Sequence, residues 1–110
     1  MTIKRLTINK LQKEAHETAV KKGFWGKSCN IAEKIALCHS ELSEALEIAR
    51  CDIRIDKQIN GKPEGFKYEL ADCIIRILDI AEYLNLDLES AIVKKMKYNK
   101  NRPRLHGKKF

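Results

Sequence analysis

Two pairs of acidic residues share a spacing that suits metal chemistry. Glu41 and Glu44 stand three residues apart, as do Glu69 and Asp72, and both pairs lie in apolar stretches. Residues three apart project from one face of a helix, so each pair offers two carboxylates on the same face. A carboxylate among apolar residues is costly to ionise unless a cation or a donor compensates it. If the two pairs meet, their oxygens predict a site for a hard cation, Mg²⁺ or Mn²⁺.

The residues around the pairs favour a polar site over an ordinary solvated surface. Glu41 and Glu44 are bracketed along their helix by Leu37 and Ile48, which predicts a second buried face there, away from the core face. The stretch that carries the second pair is apolar on nearly every side. Its ionisable residues, Glu82 excepted, fall in one stripe: Glu69, Asp72, Arg76 and Asp79. Surface salt bridges remain the alternative, because such pairs are common and nearly neutral in energy.

Positive charge is concentrated near the end of the chain. The net charge is +7, yet residues 94–110 hold eight Lys or Arg and no acid, so that segment carries +8 and the other 93 residues sum to −1. A solvated tail, a nucleic-acid arm and a ligand set for a polyanionic substrate all remain open. Lys95, Asn99 and Arg102 follow one edge of the last predicted helix and its end, a donor set that suits phosphate oxygens.

Four helices are predicted to position these groups, over residues 6–22, from residue 28 or 30 to about 50, about 66–84, and 88 to about 99. The candidate N-caps are Thr7 or Asn9, Ser28 or Asn30, and Asp87. The second helix has a predicted core stripe of Ile31, Ile35, Cys38, Leu42, Ala45, Leu46 and Ala49.

Residues from about 52 to 65 include Asn60-Gly61 and Pro63 among charged side chains, which predicts a long loop that is either mobile or facing substrate. No strand-like alternation persists, so the predicted fold class is all-α. We expect a compact bundle of about four helices in one domain, 1–110, with a basic tail at about 100–110.

Other features of the sequence exclude several classes of protein. No apolar run is long enough to span a bilayer and no signal-peptide core is present, so the expected location is cytoplasmic and no membrane partner is expected. The four cysteines, Cys29, Cys38, Cys51 and Cys73, lack metal-ligand spacing. We expect reduced thiols rather than disulfides.

These motifs together resemble the MazG-like, all-α nucleotide pyrophosphohydrolases. The family signature is roughly EExxE followed by ExxD; here it reads Ser40-Glu41-Leu42-Ser43-Glu44 and Glu69-Leu70-Ala71-Asp72, with Ser40 in place of the first glutamate. Lys22-Gly23-Phe24-Trp25 is similar to the family's aromatic segment near the nucleobase, and residues 95–110 are similar to the phosphate-binding end of compact members. The resemblance covers about residues 15–110.

The resemblance implies cleavage of a nucleoside triphosphate, or its deoxy form, to the monophosphate and pyrophosphate. Mg²⁺, or Mn²⁺ in its place, would be bound by Glu41, Glu44, Glu69 and Asp72, and a metal-held water would attack the α-phosphorus. Glu41 or Glu44 would be the catalytic residue that orients or deprotonates the water. Lys95, Asn99 and Arg102 would bind phosphate. Phe24 and Trp25 would stack on the base, or else form a hydrophobic plug beneath the turn.

Supporting roles and partners complete the expectation. His39 would support the site without binding metal, and Arg76 and Asp79 would form an ion pair behind Asp72. A homodimer or homotetramer is expected, with Leu37 and Ile48 in its interface. Nucleic acid is not an expected partner of such an enzyme. The alternative is a small helical nucleic-acid-binding or regulatory protein that uses its basic C-terminus.

Overall fold

The computed structural model describes residues 5–26 and 30–110, and four helices make up most of this part of the chain. They are α1 (Ile8–Lys21), α2 (Ile31–Cys51), α3 (Phe66–Tyr83) and α4 (Leu88–Lys100). Two short strands, β1 (Asp56–Ile59) and β2 (Lys62–Gly65), lie between α2 and α3, and a 3₁₀ turn follows α4 at Arg104–Gly107. The four predicted helices are confirmed. None of the described helices is both long and apolar enough to cross a bilayer.

Side-chain caps fix where three helices begin. Thr7 accepts a hydrogen bond from the backbone N–H of Lys10 at 3.1 Å, and Asn30 accepts one from Glu33 at 3.2 Å. Asp87 does the same for Ser90 at 3.1 Å. Each cap satisfies a backbone donor that the first turn leaves without a partner. Ser28, the other candidate cap of α2, and Cys29 lie outside the described residues.

The segment between α2 and α3 corrects the all-α prediction, because it contains an antiparallel hairpin and not an irregular loop. Ile59 pairs with Lys62, and the register runs to Asp56 opposite Gly65. Asn60 and Gly61 both take positive φ angles, 52° and 80°, as a two-residue type I′ turn requires. The Asn-Gly signal was visible in the sequence, but the flanking DKQI and KPEG lack the alternation that predicts strands.

Helix α3 is the centre of the fold, with α1 and α2 both packed against it and α4 contacting α1. The buried hydrophobic residues are mostly small, which lets the helices approach closely: Cys38, Ala45, Cys73, Leu78 and Ala81. On α2 the buried positions are Cys38, Glu41 and Ala45.

The predicted core stripe of α2 is confirmed for Cys38 and Ala45 and wrong for Ile35, Leu42 and Leu46. Ile35, Leu42 and Leu46 are 48%, 50% and 61% exposed, whereas Glu41 lies on the face that meets α3. Leu37 and Ile48, predicted to form a second buried face for a subunit interface, are half-buried in the protomer. Ile35, Leu42 and Leu46 thus point away from the core of the chain.

The protomer is open for its size. Its accessible surface is 9217 Å², against about 6,200 Å² for a compact monomer of this mass. The radius of gyration is 16.4 Å, against about 13 Å for a compact chain of this length. Much apolar surface on α2 and α3 therefore stays uncovered by the chain itself.

Candidate metal centre and adjoining pocket

Three carboxylates from two helices converge at the contact between α2 and α3. Glu41 comes from α2, and Glu69 and Asp72 come from successive turns of α3. One oxygen from each lies within 4.8 Å of the other two. Glu41 and Glu69 are buried, and Asp72 lies at the exposed edge. The i, i+3 spacing places the two α3 acids on one face, and the packing of α2 against that face brings Glu41 to them.

Glu44, the fourth predicted ligand, lies at the rim of this cluster. It sits one turn beyond Glu41 on α2 and is exposed, and it contributes to the raised pKa of Glu69. The structure therefore brings Glu41, Glu69 and Asp72 together and leaves Glu44 at the edge of the group. We use the term acidic cluster for Glu41, Glu44, Glu69 and Asp72.

The acidic cluster has more negative charge than its protein surroundings compensate. Burial contributes most to raising the pKa of Glu69 to about 7, and hydrogen bonding to Glu44 and Glu41 and the charges of Glu44 and Asp72 contribute the rest. Burial and the charge of Glu41 raise the pKa of Asp72, while Arg76 and Lys62 oppose that rise. The Oε2 atom of Glu69 is buried without a hydrogen-bond partner. An orphaned carboxylate oxygen among other carboxylates fits a hard divalent cation.

Arg76 is the cation that contacts this cluster directly. Its Nε donates a hydrogen bond to Oε1 of Glu41 at 2.9 Å, and both side chains are largely buried. The predicted ion pair between Arg76 and Asp79 is therefore wrong: Arg76 reaches across to α2, where Glu41 lies on the facing surface.

A pocket of about 470 Å³ adjoins the acidic cluster. Glu41, Asp72 and Arg76 contribute to its lining, and Phe24, Lys34 and Asp79 also line it. Apolar residues of α1, among them Leu11, Ala15 and Ala19, complete the wall. Asp72 and Asp79 are two helical turns apart, about 10 Å along α3. The pocket thus joins an acidic end to an end formed by the turn after α1.

Asp79 organises that second end. Its carboxylate accepts hydrogen bonds from Nε1 of Trp25, at 2.8 and 3.0 Å, and from Nδ1 of His16 at 2.8 Å. These contacts tie α1 and the following turn to α3. The sequence analysis did not identify His16 as a site residue. The available signal was its position four residues after Gln12, on the same face of α1, because Gln12 is buried and donates to Glu82 on α3 at 3.0 Å.

The two predicted base-binding aromatics differ in their surroundings. Trp25 stacks on Tyr83 with 4.1 Å between ring centroids and 9° between planes, and the Lys34 ammonium lies 4.4 Å from the Trp25 ring. The Tyr83 ring and the Lys34 ammonium cannot lie on the same face of the indole, so both of its faces are covered. Phe24, by contrast, is 61% exposed and lines the pocket. The geometry favours Phe24 as the base contact, a role that stays a prediction for either residue.

The predicted phosphate set lies on a different part of the protomer. Lys95 and Asn99 are on α4 and Arg102 follows it, and α4 packs against α1. Lys95 and Arg102 approach the ring of Tyr98, at 5.4 and 5.5 Å, and none of the three lines the pocket. Within the described residues, no hydrogen bond or ion pair joins them to the acidic cluster.

His39 is exposed on the opposite side of the α2–α3 pair. It lies in a shallow apolar groove that includes Ile35, Leu42, Cys73 and Ile77. This position gives it no contact with the acidic cluster among the described interactions. Its supporting role stays a prediction.

Comparison with known proteins adds no assignment to this geometry: no family model matches the chain, and no curated protein or solved structure matches it.

Proposed function

We propose that this chain is a Mg²⁺-dependent nucleoside triphosphate pyrophosphohydrolase. It would cleave the bond between the α- and β-phosphates of a nucleotide or deoxynucleotide, in a nucleotide-pool-cleaning role. The observation that carries the proposal is the acidic cluster, with the orphaned Oε2 of buried Glu69, beside a pocket of about 470 Å³. The MazG-like resemblance of the two acidic motifs supplies the reaction class.

The acidic cluster fits Mg²⁺ in ligand type, because it offers carboxylate oxygens and contains no Cys or His. Mn²⁺ would substitute, since it prefers the same ligands. When bound, the ion would lower the pKa of a water molecule and offset the negative charge of the phosphates. Glu41, Glu44, Glu69 and Asp72 would hold it.

The surroundings of the two candidate bases favour Glu44 over Glu41. Glu41 is buried and its Oε1 already accepts a hydrogen bond from Arg76, so that oxygen is not free to take a proton from water. Glu44 is exposed at the rim and contacts Glu69. Glu44 would therefore accept the proton of the attacking water, while Glu41 keeps Arg76 beside the phosphates.

The nucleoside would occupy the pocket away from the acids. Phe24 offers an exposed ring, and Lys34 is held beside it by donating to the carbonyl of Phe24 at 2.6 Å. The contacts of Trp25 and His16 with Asp79 would fix the shape of this end of the pocket. The indole of Trp25 would not itself contact the base. Pocket shape here would determine base preference.

A second copy of the chain would cover the exposed face of α2 and α3. The protomer exposes about 3,000 Å² more than a compact monomer, and a standard interface buries about 800 Å² on each partner. Ile35, Leu42, Leu46, Ile74 and Ile77 are all exposed on these two helices. We propose this face as the homodimer interface, in place of the interface that the sequence predicted at Leu37 and Ile48.

Turnover of a nucleotide panel tests the proposal. With Mg²⁺, at least one triphosphate should yield monophosphate and pyrophosphate in equal amounts, with no orthophosphate. Glu69→Gln should abolish turnover and Mn²⁺ binding, whereas Glu47→Gln, an exposed acid on α2, should change neither. No cleavage of any triphosphate with Mg²⁺ or Mn²⁺ would refute the enzyme proposal. Salt-sensitive nucleic-acid binding lost on deleting residues 104–110 would then favour the alternative.

A further inference from the structure

The hairpin, the acids and the pocket follow one another in that order along α3. The hairpin joins the start of the helix, Glu69 and Asp72 follow in its first turns, and Asp79 comes two turns later. The pocket lining on α3 begins at Asp72 and continues to Ile80, away from the hairpin. A nucleotide with its nucleoside in the pocket and its α-phosphate at the acids would therefore direct its outer phosphates towards the hairpin.

Two contacts hold the hairpin to α3. Nζ of Lys67, in the first turn of α3, lies 2.6 Å from Oδ2 of Asp56 on β1. At Gly65, where φ is +148°, a Cβ would lie 2.9 Å from Oδ1 of Asp56 and 3.0 Å from the carbonyl oxygen of Ile55. A side chain at this position would push β1 away from the helix. The base of the hairpin thus lies against the first turn of α3, next to Glu69.

Lys62, the first residue of β2, is a hairpin cation on the strand that leads directly into α3 and its acids. Its ammonium lies 3.1 Å from Oε1 of Glu64, and its side chain is 71% exposed. The Glu64 contact raises the pKa of Lys62 most, and the charges of Glu69 and Asp72 add to that rise. An exposed pair such as Lys62–Glu64 is weak, so the ammonium can change partner at little cost.

We infer that Lys62 binds the leaving pyrophosphate. This inference rests on the proposed function. In the reaction, the water oxygen bonds to the α-phosphorus, the bond from that phosphorus to the bridging oxygen breaks, and the bridging oxygen leaves on pyrophosphate with the electron pair. The proton of the water goes to Glu44. Lys62 stays protonated and donates to the oxygens of the departing group, on which negative charge increases.

The hairpin supplies a matched control. Lys57 lies opposite Glu64 in the register, and Lys62 is two residues from Glu64 on the same strand. Side chains opposite one another, or two apart, share a face of a hairpin, so both lysines lie on the same face. Lys57→Met and Lys62→Met therefore make the same change in charge on one face. Only Lys62→Met removes the cation assigned to pyrophosphate.

Calorimetric titration with inorganic pyrophosphate in Mg²⁺ tests the inference, with nucleoside monophosphate as the second probe. Lys62→Met should weaken pyrophosphate binding about tenfold and leave monophosphate binding within about twofold. Lys57→Met should change neither. In turnover, Lys62→Met should raise KM for the triphosphate more than Lys57→Met does. Circular dichroism and thermal melting would confirm that both variants fold.

The outcomes separate the two proposals. Equal pyrophosphate affinity in wild type and Lys62→Met, with triphosphate cleavage intact, would overturn the role of Lys62 and leave the proposed function standing. Equal weakening of pyrophosphate and monophosphate binding would also overturn it, because Lys62 would then not be specific to the leaving group. A wild-type protein that binds no Mg²⁺ and cleaves no triphosphate would overturn the proposed function and this inference with it.

Discussion

Arg76 on α3 and Glu41 on α2 are joined by a 2.9 Å hydrogen bond from Nε to Oε1 across the helix interface. The side chain of Glu41 is 11% exposed and that of Arg76 is 34% exposed. Loss of the cation would leave a buried carboxylate beside Glu69 and Asp72 without its partner. The pair therefore keeps the acidic cluster compatible with a folded protomer, as well as lining the pocket.

Arg76→Gln should lower the free energy of unfolding by about 1–3 kcal/mol in the absence of divalent metal, since a buried charge loses its partner. Arg50→Gln is the matched control. Arg50 contacts Glu47 on the surface of α2 at 3.2 Å, with both side chains about 70% exposed, and its loss should cost less than about 1 kcal/mol. Urea unfolding of both variants measures the difference. Equal stability losses would mean that the Arg76–Glu41 pair is not effectively buried.

The stability of the metal-free protein should fall as pH rises from about 4.5 to about 7. The pKa of Glu69 is raised from 4.5 to about 7 by burial and by its acidic neighbours, so in this range the folded state holds a proton that the unfolded state has lost. The loss should be no more than about 3 kcal/mol. Unfolding at pH 5 and pH 8 measures it. Glu69→Gln should flatten the profile and Glu47→Gln should not; an unchanged profile in Glu69→Gln would contradict the assignment.

Trp25 and Phe24 should separate stability from nucleotide binding. Trp25→Phe removes the N–H that donates to Asp79, which should cost about 1–2 kcal/mol of stability. Phe24→Leu should leave stability nearly unchanged, because Phe24 is exposed, and should weaken nucleotide binding. Thermal melting and titration with a nonhydrolysable triphosphate measure the two effects. Unchanged nucleotide affinity in Phe24→Leu would remove Phe24 from the base contact.

Leu46→Glu should dissociate the proposed dimer. Leu46 is 61% exposed in the protomer, so a charge there is tolerated by an isolated chain but not in an apolar interface. Val20→Glu, at a 49% exposed site on α1, serves as the control. Analytical ultracentrifugation should find monomer for the first variant and dimer for the second and for wild type. A wild-type monomer would show that no second copy covers this face.

The sequence predicted the convergence of the acids because the information is local. A spacing of three sets two carboxylates on one helix face, and Glu69 and Asp72 obey it whatever else packs nearby. Helix starts were equally local, since Thr7, Asn30 and Asp87 cap the backbone within their own first turn. The meeting of Glu41 with the α3 pair needed only that α2 and α3 pack together.

The predictions that were wrong concern features that depend on how the helices pack against one another. Leu42 follows Glu41 by one residue, about 100° around the helix, and an apolar pattern does not say which apolar face the protomer itself covers. Close packing through Cys38 and Ala45 selected the Glu41 face and left Leu42 outside. Asp72 and Asp79 each lie about one helical turn from Arg76 on α3. Arg76 instead pairs with Glu41, which could be predicted only by knowing how α2 packs against α3.

Helix α3 sets the spacing and the facing of the residues in the candidate site. The polar groups from Glu69 to Tyr83 recur at intervals of three and four residues, so one face of α3 carries Glu69, Asp72, Arg76, Asp79 and the Tyr83 ring that stacks on Trp25. Inserting one residue between Asp72 and Asp79 would turn one end of this face by about 100° relative to the other. Inserting seven would restore the facing but separate the ends by about another 10 Å. Homologous proteins with this site should therefore keep the number of residues between Asp72 and Asp79.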